Sequence, residues 1–279
     1  MVLAPIFYLV FSQLAIGGFA LLLLVPKGLV GRGFFRLMGI IYLLAVIFAR
    51  CANLPISGKA VSWRNFFLAW DGQDVIYTIV MCIIFLCYTI SLWLKNEVLN
   101  RGLLFAGAVI GSIWIVSSAQ SFLPQSTLPA GRFLLPLQFV VSAVLLGAVN
   151  SGMWFGHWYL VTPDLPVVHL KRFNQVFLIA LLLSTSLSVL NFLFNTESAA
   201  GPPQNFFLQV VLGMRVLIGF CGSFLLYAIV WHCLRDNAVE QDAVGATRAA
   251  TGFLYVAMIT VFIGEFCGRF LFLETRYFM

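Results

Sequence analysis

Apolar residues run along this chain in eight stretches of about twenty positions, each long enough to cross a bilayer as a helix. They fall near residues 5–25, 37–54, 74–94, 102–123, 134–161, 173–194, 206–234 and 249–272. The breaks between them are short and carry helix-stopping residues: Pro26 and Gly28, Pro55, Pro124, Pro163 and Pro166, then Gly201, Pro202 and Pro203. No internal sequence repeat is evident. The pattern predicts an all-α integral membrane protein, a bundle of eight transmembrane helices forming one domain over residues 1–279.

One connection carries a pattern of its own. In residues 62–70 ("SWRNFFLAW"), Trp63, Phe66, Phe67 and Trp70 recur at i, i+3, i+4 and i+7. That spacing puts four aromatic rings on one face of a short amphipathic helix, with Ser62 as its N-cap. Aromatic faces suit the headgroup layer. The same face is a candidate docking surface for an external partner.

Composition agrees with the pattern. The 279 residues are 62% hydrophobic and 9% charged, with a mean hydropathy of +1.01. A soluble core of this length has no need of so much apolar surface. The net charge of +6 comes without a dense basic cluster, so a nucleic-acid partner is not expected. The first basic residue is Lys27, which argues that the first apolar stretch is a retained span and not a signal peptide.

The distribution of charge orients the bundle. Connections after the odd-numbered stretches hold nine basic residues: Lys27, Arg32, Arg36, Lys95, Arg101, Lys171, Arg172, Arg235 and Arg248. The opposite side holds four, Lys59, Arg64, Arg132 and Arg276. By the positive-inside rule both termini lie outside, in a bacterial inner membrane.

Three arginines remain, and they fall inside stretches: Arg50, Arg215 and Arg269. Ionisable groups in hydrocarbon are costly and face a cavity or one another. At about 1.5 Å per residue, Gln13 and Arg215 lie roughly 12 Å below the outer surface, and Glu265 roughly 10 Å below it. Arg50, Gln120, Gln138 and Asn191 fall in the outer third of their own stretches. Glu265 and Arg269, four residues apart, share a helix face. Gly264 and Gly268 form a small-xxx-small pair beside them. Glu265 is the acidic residue that sits well inside a stretch. A carboxylate among arginines at one level makes either a structural ion bridge or a polar pocket. A quinone suits the pocket: its carbonyls need hydrogen-bond donors, and oxidation of the quinol needs a proton acceptor.

The other candidate ligands point elsewhere. His157 and His232 lie near the inner ends of the fifth and seventh stretches, where two facing imidazoles could hold a haem b iron. His169 follows Pro166 in an inner connection and is expected to be solvated. The six cysteines form no C-x-x-C pair, so no iron–sulfur cluster is expected in this chain.

Two segments, "SQLAIGGF" at 12–19 and "GEFCGRFLF" at 264–272, resemble the membrane-anchor subunits of the dimethyl sulfoxide reductase type and the related NrfD-type polysulfide reductase anchors. "GMWFGHWYL" at 152–160 and "MRVLIGF" at 214–220 align more loosely, and eight spans with an external N-terminus agree. The resemblance implies a haem-free anchor that binds menaquinone or another quinone. Such an anchor passes electrons to an iron–sulfur subunit, which serves a molybdenum-type catalytic subunit on the outer side. The family carries a His and a Glu linked to quinol binding between its second and third spans. This chain has neither there; Arg50 and the aromatic connection stand in their place. The sequence thus predicts Glu265 as proton acceptor, with Arg269, Arg215, Arg50 and Gln13 around the quinone. A haem b cytochrome using His157 and His232, a non-redox membrane scaffold and a small-molecule permease are the alternatives.

Overall fold

The computed structural model describes residues 3–52, 72–94, 96–121, 131–162, 165–195 and 205–275. The aromatic face of Trp63, Phe66, Phe67 and Trp70 lies outside these residues. Eight long helices make up nearly all of the described residues: α1 (Leu3–Leu21), α2 (Arg32–Ala52), α3 (Gly72–Ser91), α4 (Glu97–Gln120), α5 (Gly131–Val161), α6 (Val168–Asn195), α7 (Phe206–Cys233) and α8 (Asp236–Thr275). A 3₁₀ turn, Leu22–Leu24, ends α1, and a one-turn helix, Lys27–Val30, precedes α2. All eight helices are long and apolar enough to cross a membrane.

Helix starts follow local chemistry. Asn96 caps α4 by accepting from the Leu99 N–H, and Asn205 caps α7 by accepting from the Phe207 N–H. Several helices outrun the apolar stretches that announced them. α2 begins at Arg32, and α6 begins at Val168. Lys and Arg are good helix formers, and their charged ends can reach past the apolar layer, so polar flanks extend a helix without a hydropathy signal. α8 extends furthest. Its backbone breaks at Asp242 (φ −154°, ψ 88°), whose carboxylate accepts from the Gly245 N–H and caps the long segment that follows.

Paired residues show that odd- and even-numbered helices run in opposite directions. Phe7 near the start of α1 meets Phe266 near the end of α8. Trp114 late in α4 meets Tyr8 early in α1. The end where α1 begins is called the N-terminal rim below. At the opposite rim, Arg32 pairs with Glu97 at 3.0 Å, and Lys171 pairs with Asp236. Both pairs are partly exposed and contribute little.

The helices form two rings of four. α1, α2, α3 and α4 each pack on the next and close through α4 against α1; α5 to α8 do the same. The rings join through α1 against α5, with α4 on α5 and α8 on α1 flanking that contact. This pattern is unchanged when the two halves are exchanged, although no repeat is legible in the sequence. Helix packing depends on where small and large side chains fall, which many sequences satisfy.

The central contact is backbone against backbone. α1 and α5 run parallel, and a Cβ on Gly17 would collide with the Ala143 carbonyl, as one on Gly147 would with the Gly17 backbone. Side chains are excluded there, and the two helices approach as small-residue membrane pairs do. The bundle exterior is apolar. Ile40, Leu44, Ile47 and Phe48 form an exposed stripe on α2; Ile76, Ile79, Ile83, Leu86 and Ile90 form another on α3. Large apolar surfaces of this kind suit contact with lipid.

Candidate functional site

Polar residues of the second ring, joined by Gln13 of α1, meet in one buried chain near the N-terminal rim. Arg215 on α7 donates from Nη1 to Glu265 Oε1 on α8 at 2.9 Å. Arg269, one turn along α8, lies 3.7 Å from Glu265 Oε2 and donates to Gln13 Oε1 on α1 at 3.0 Å. On the other flank, Arg215 Nη2 and Gln138 Nε2 on α5 both reach Ser184 Oγ on α6, at 3.5 and 3.2 Å. Ser142 on α5 faces the Glu265 carboxylate without reaching hydrogen-bond geometry. The chain Gln138–Ser184–Arg215–Glu265–Arg269–Gln13 therefore joins five helices. Its charged members are 2–3% exposed.

Two features of the backbone make this possible. In α7, residues Arg215–Gly222 form a π-helical segment. A π-helix bonds i to i+5, so Arg215 and Phe220 stack on one face, and the guanidinium carbon sits 4.4 Å from the ring centroid. At the same level Gly219 meets Gly264 of α8. A Cβ on Gly219 would come within 2.7 Å of the Gly264 Cα. The two helices close on these glycines, which brings Arg215 onto Glu265. Arg269 is held similarly, 4.1 Å above the Phe139 ring of α5.

Of the residues predicted from sequence, Glu265, Arg269, Arg215 and Gln13 converge as expected, with Gln138 joining them. Gln120 does not: it is exposed at the end of α4. Arg50 is placed elsewhere. It lines a groove of about 150 Å³ between α2 and α3, with Ile47, Cys51, Val75, Thr78, Ile79 and Cys82, in the first ring. α1 and the aromatic cluster of Phe7, Phe11, Phe48, Phe262 and Phe266 separate α2 from α8. Depth along a helix axis can be read from sequence, but the direction a residue faces around the bundle cannot.

A second polar group, which the hydropathy pattern does not announce, occupies the first ring at the same rim. Trp114 Nε1 donates to Tyr8 Oη at 3.2 Å and to Asp74 Oδ1 at 3.3 Å. Asp74 is 8% exposed. Its position at the edge of an apolar stretch marks it as a boundary residue, yet the first turn of α3 is already covered by α1 and α4. A cavity of about 10 Å³, lined by Ser12, Gln13, Trp114, Ser118 and Phe139 among others, lies between the two polar groups. The buried Gln13 Nε2 has no hydrogen-bond partner among the described residues.

The histidines do not face one another across a buried space. His157 and His232 are both exposed on the bundle surface, and His157 Nδ1 pairs with the Tyr255 hydroxyl at 3.3 Å. His169, expected to be solvated, is instead 7% exposed and packs edge-on to Phe155. Covering by α5 accounts for the difference.

Comparison with family models, with curated proteins and with solved structures gave no match.

Proposed function

We propose that this chain is the quinone-reactive membrane anchor of a multi-subunit oxidoreductase, lying in a bacterial inner membrane with both termini outside. It passes electrons between the quinone pool and an iron–sulfur subunit that serves a molybdenum-type catalytic subunit. The observation that carries the reading is the buried chain around Glu265. A carboxylate and two guanidiniums, linked across five helices, sit in the part of the bundle nearest the N-terminal rim. A bridge that served packing alone would need one cation for one anion. Here a second cation is present, and amide and hydroxyl groups extend the network on both flanks.

In the oxidising direction a quinol loses two electrons and two protons. The electrons leave singly to the iron–sulfur centres of the partner subunit, since the cysteines of this chain are not grouped as cluster ligands. Glu265 accepts one proton while Arg215 stays protonated beside it, and the other proton passes to water at the rim. Arg215 and Arg269 hold the carboxylate in place and stabilise negative charge that develops on a quinone oxygen. Gln13 fixes Arg269.

The test is Glu265→Gln in the assembled complex. The amide keeps a hydrogen-bond acceptor for Arg215 but cannot take a proton. Quinol oxidation per assembled complex is expected to fall by about 10²-fold or more, the contribution of a positioned acid–base group, a loss read separately from the lower stability that two uncompensated arginines bring. Full quinol oxidation in an assembled Glu265→Gln complex would sink the assignment.

A further inference from the structure

Glu265 does not itself open to the bundle surface; Arg215 stands in front of it. Beyond Arg215, α6 and α7 part to leave a crevice of about 410 Å³. This is within the range of small-molecule sites, about 300–1,000 Å³. Its walls are apolar and aromatic, with Phe192 from α6 and Phe220 and Phe224 from α7. It opens on the lipid-facing surface, where Val189 is 51% and Val216 42% exposed. Two polar side chains that line it are almost completely buried, Arg215 at 2% and Ser188 at 5% exposure, with their polar atoms just behind its apolar surface. Arg215 Nε and Ser188 Oγ have no hydrogen-bond partner among the described residues.

Two buried donors at the end of an apolar slot are costly unless something accepts from them. An acyl chain brings no acceptor. A flat ring carrying carbonyl oxygens and an apolar tail brings both parts. We infer that the α6–α7 crevice is the site of the quinone ring, which enters sideways from the lipid, lies among Phe192, Phe220 and Phe224, and turns a carbonyl oxygen to Arg215 and Ser188. This rests on the reading of the chain as quinone-reactive and says where the ring sits. The π-helical segment of α7 builds the site. It stacks Phe220 beneath Arg215 and turns Cys221, which is exposed, into the crevice wall.

Cys221 supplies a probe that does not depend on turnover. The intact complex, in lipid nanodiscs, is labelled with a membrane-soluble maleimide, and modification is followed by mass spectrometry. Cys51 and Cys82 in the α2–α3 groove serve as internal references. Decylubiquinone at ten times its Kd leaves about one-eleventh of the sites free, so labelling of Cys221 is expected to slow about tenfold. Cys51 and Cys82 should be unaffected. Decanol and a short-chain phosphatidylcholine should not protect Cys221. Ser188→Leu, which fills the slot, should abolish protection without lowering the unfolding temperature.

Equal protection by decanol or by the phospholipid would overturn the proposal, because the crevice would then be a lipid groove. Equal protection of Cys51 would also overturn it, as a sign of nonspecific partition. Unprotected Cys221 in a complex that still oxidises quinol would overturn the crevice and leave the function standing. Selective protection in a complex that never turns over quinol would support the crevice and count against the function.

Discussion

Replacing Glu265 with leucine tests whether the buried chain is ionic and closed to water. In this structure one carboxylate serves two guanidiniums, at 2.9 Å and 3.7 Å, and all three groups are 2–3% exposed. Removing one partner of a buried pair costs about 3–5 kcal/mol, because the remaining charge is left without compensation. Here two cations are stranded together, so the upper end of that range is expected. For a chain of this size 1 kcal/mol moves the unfolding temperature by about 2–4 °C, so the loss should be on the order of 10 °C. The assay is thermal unfolding in detergent, followed by the fluorescence of Trp114, which is 1% exposed in the folded chain. The decisive comparison is with the triple variant Arg215→Met, Glu265→Leu, Arg269→Met. Replacing all the buried charges by apolar side chains of similar volume is often neutral or stabilising. The triple variant should therefore recover most of the loss while remaining inactive. A single variant within about 2 °C of the parent, less than 1 kcal/mol on the same scale, would show that water reaches the arginines, and the reasoning would fail.

Other outcomes follow from the same geometry. Gly219→Ala should separate α7 from α8 and cost about 1–3 kcal/mol as an overpacked contact; because it moves Arg215, quinol oxidation should fall along with thermal stability. Gly17→Leu should prevent the parallel α1–α5 contact and with it the joining of the two rings, seen as failure to accumulate in membranes; normal accumulation would refute that packing. Trp114→Phe keeps the ring but withdraws a donor from the buried oxygens of Asp74 and Tyr8, for a loss of about 1–3 kcal/mol in thermal unfolding. An optical difference spectrum of the purified chain should lack a haem b band, and His157→Ala should leave quinol oxidation unchanged.

Much of the buried chain around Glu265 is legible in the amino-acid order. Gln13, Arg215, Glu265 and Arg269 can be assigned to one level because rise per residue is constant and helices alternate in direction. Glu265 and Arg269 can be assigned to one face by their spacing. Arg50 shares the level but not the direction, and it falls into the other ring. Asp74 is hidden by its place at the edge of an apolar stretch. Ser184 and Ser188 carry no signal, since a serine in a membrane helix is common and its role depends on what it faces. The π-helical segment is equally silent. It coincides with the meeting of Gly219 and Gly264, two residues far apart in the chain.

The amino-acid order alone thus determined, among the described residues, eight helices long and apolar enough to cross a membrane, with charge buried near one rim. Hydrophobic period, span length and the cost of ions in hydrocarbon are local properties, readable one stretch at a time. Tertiary structure alone decided which helices touch, that they close into two rings around a backbone contact of α1 with α5, and that Arg215 stands between Glu265 and an open crevice. Those outcomes depend on rotation about each helix axis. Contacts between distant residues set that rotation, and a single stretch does not encode it.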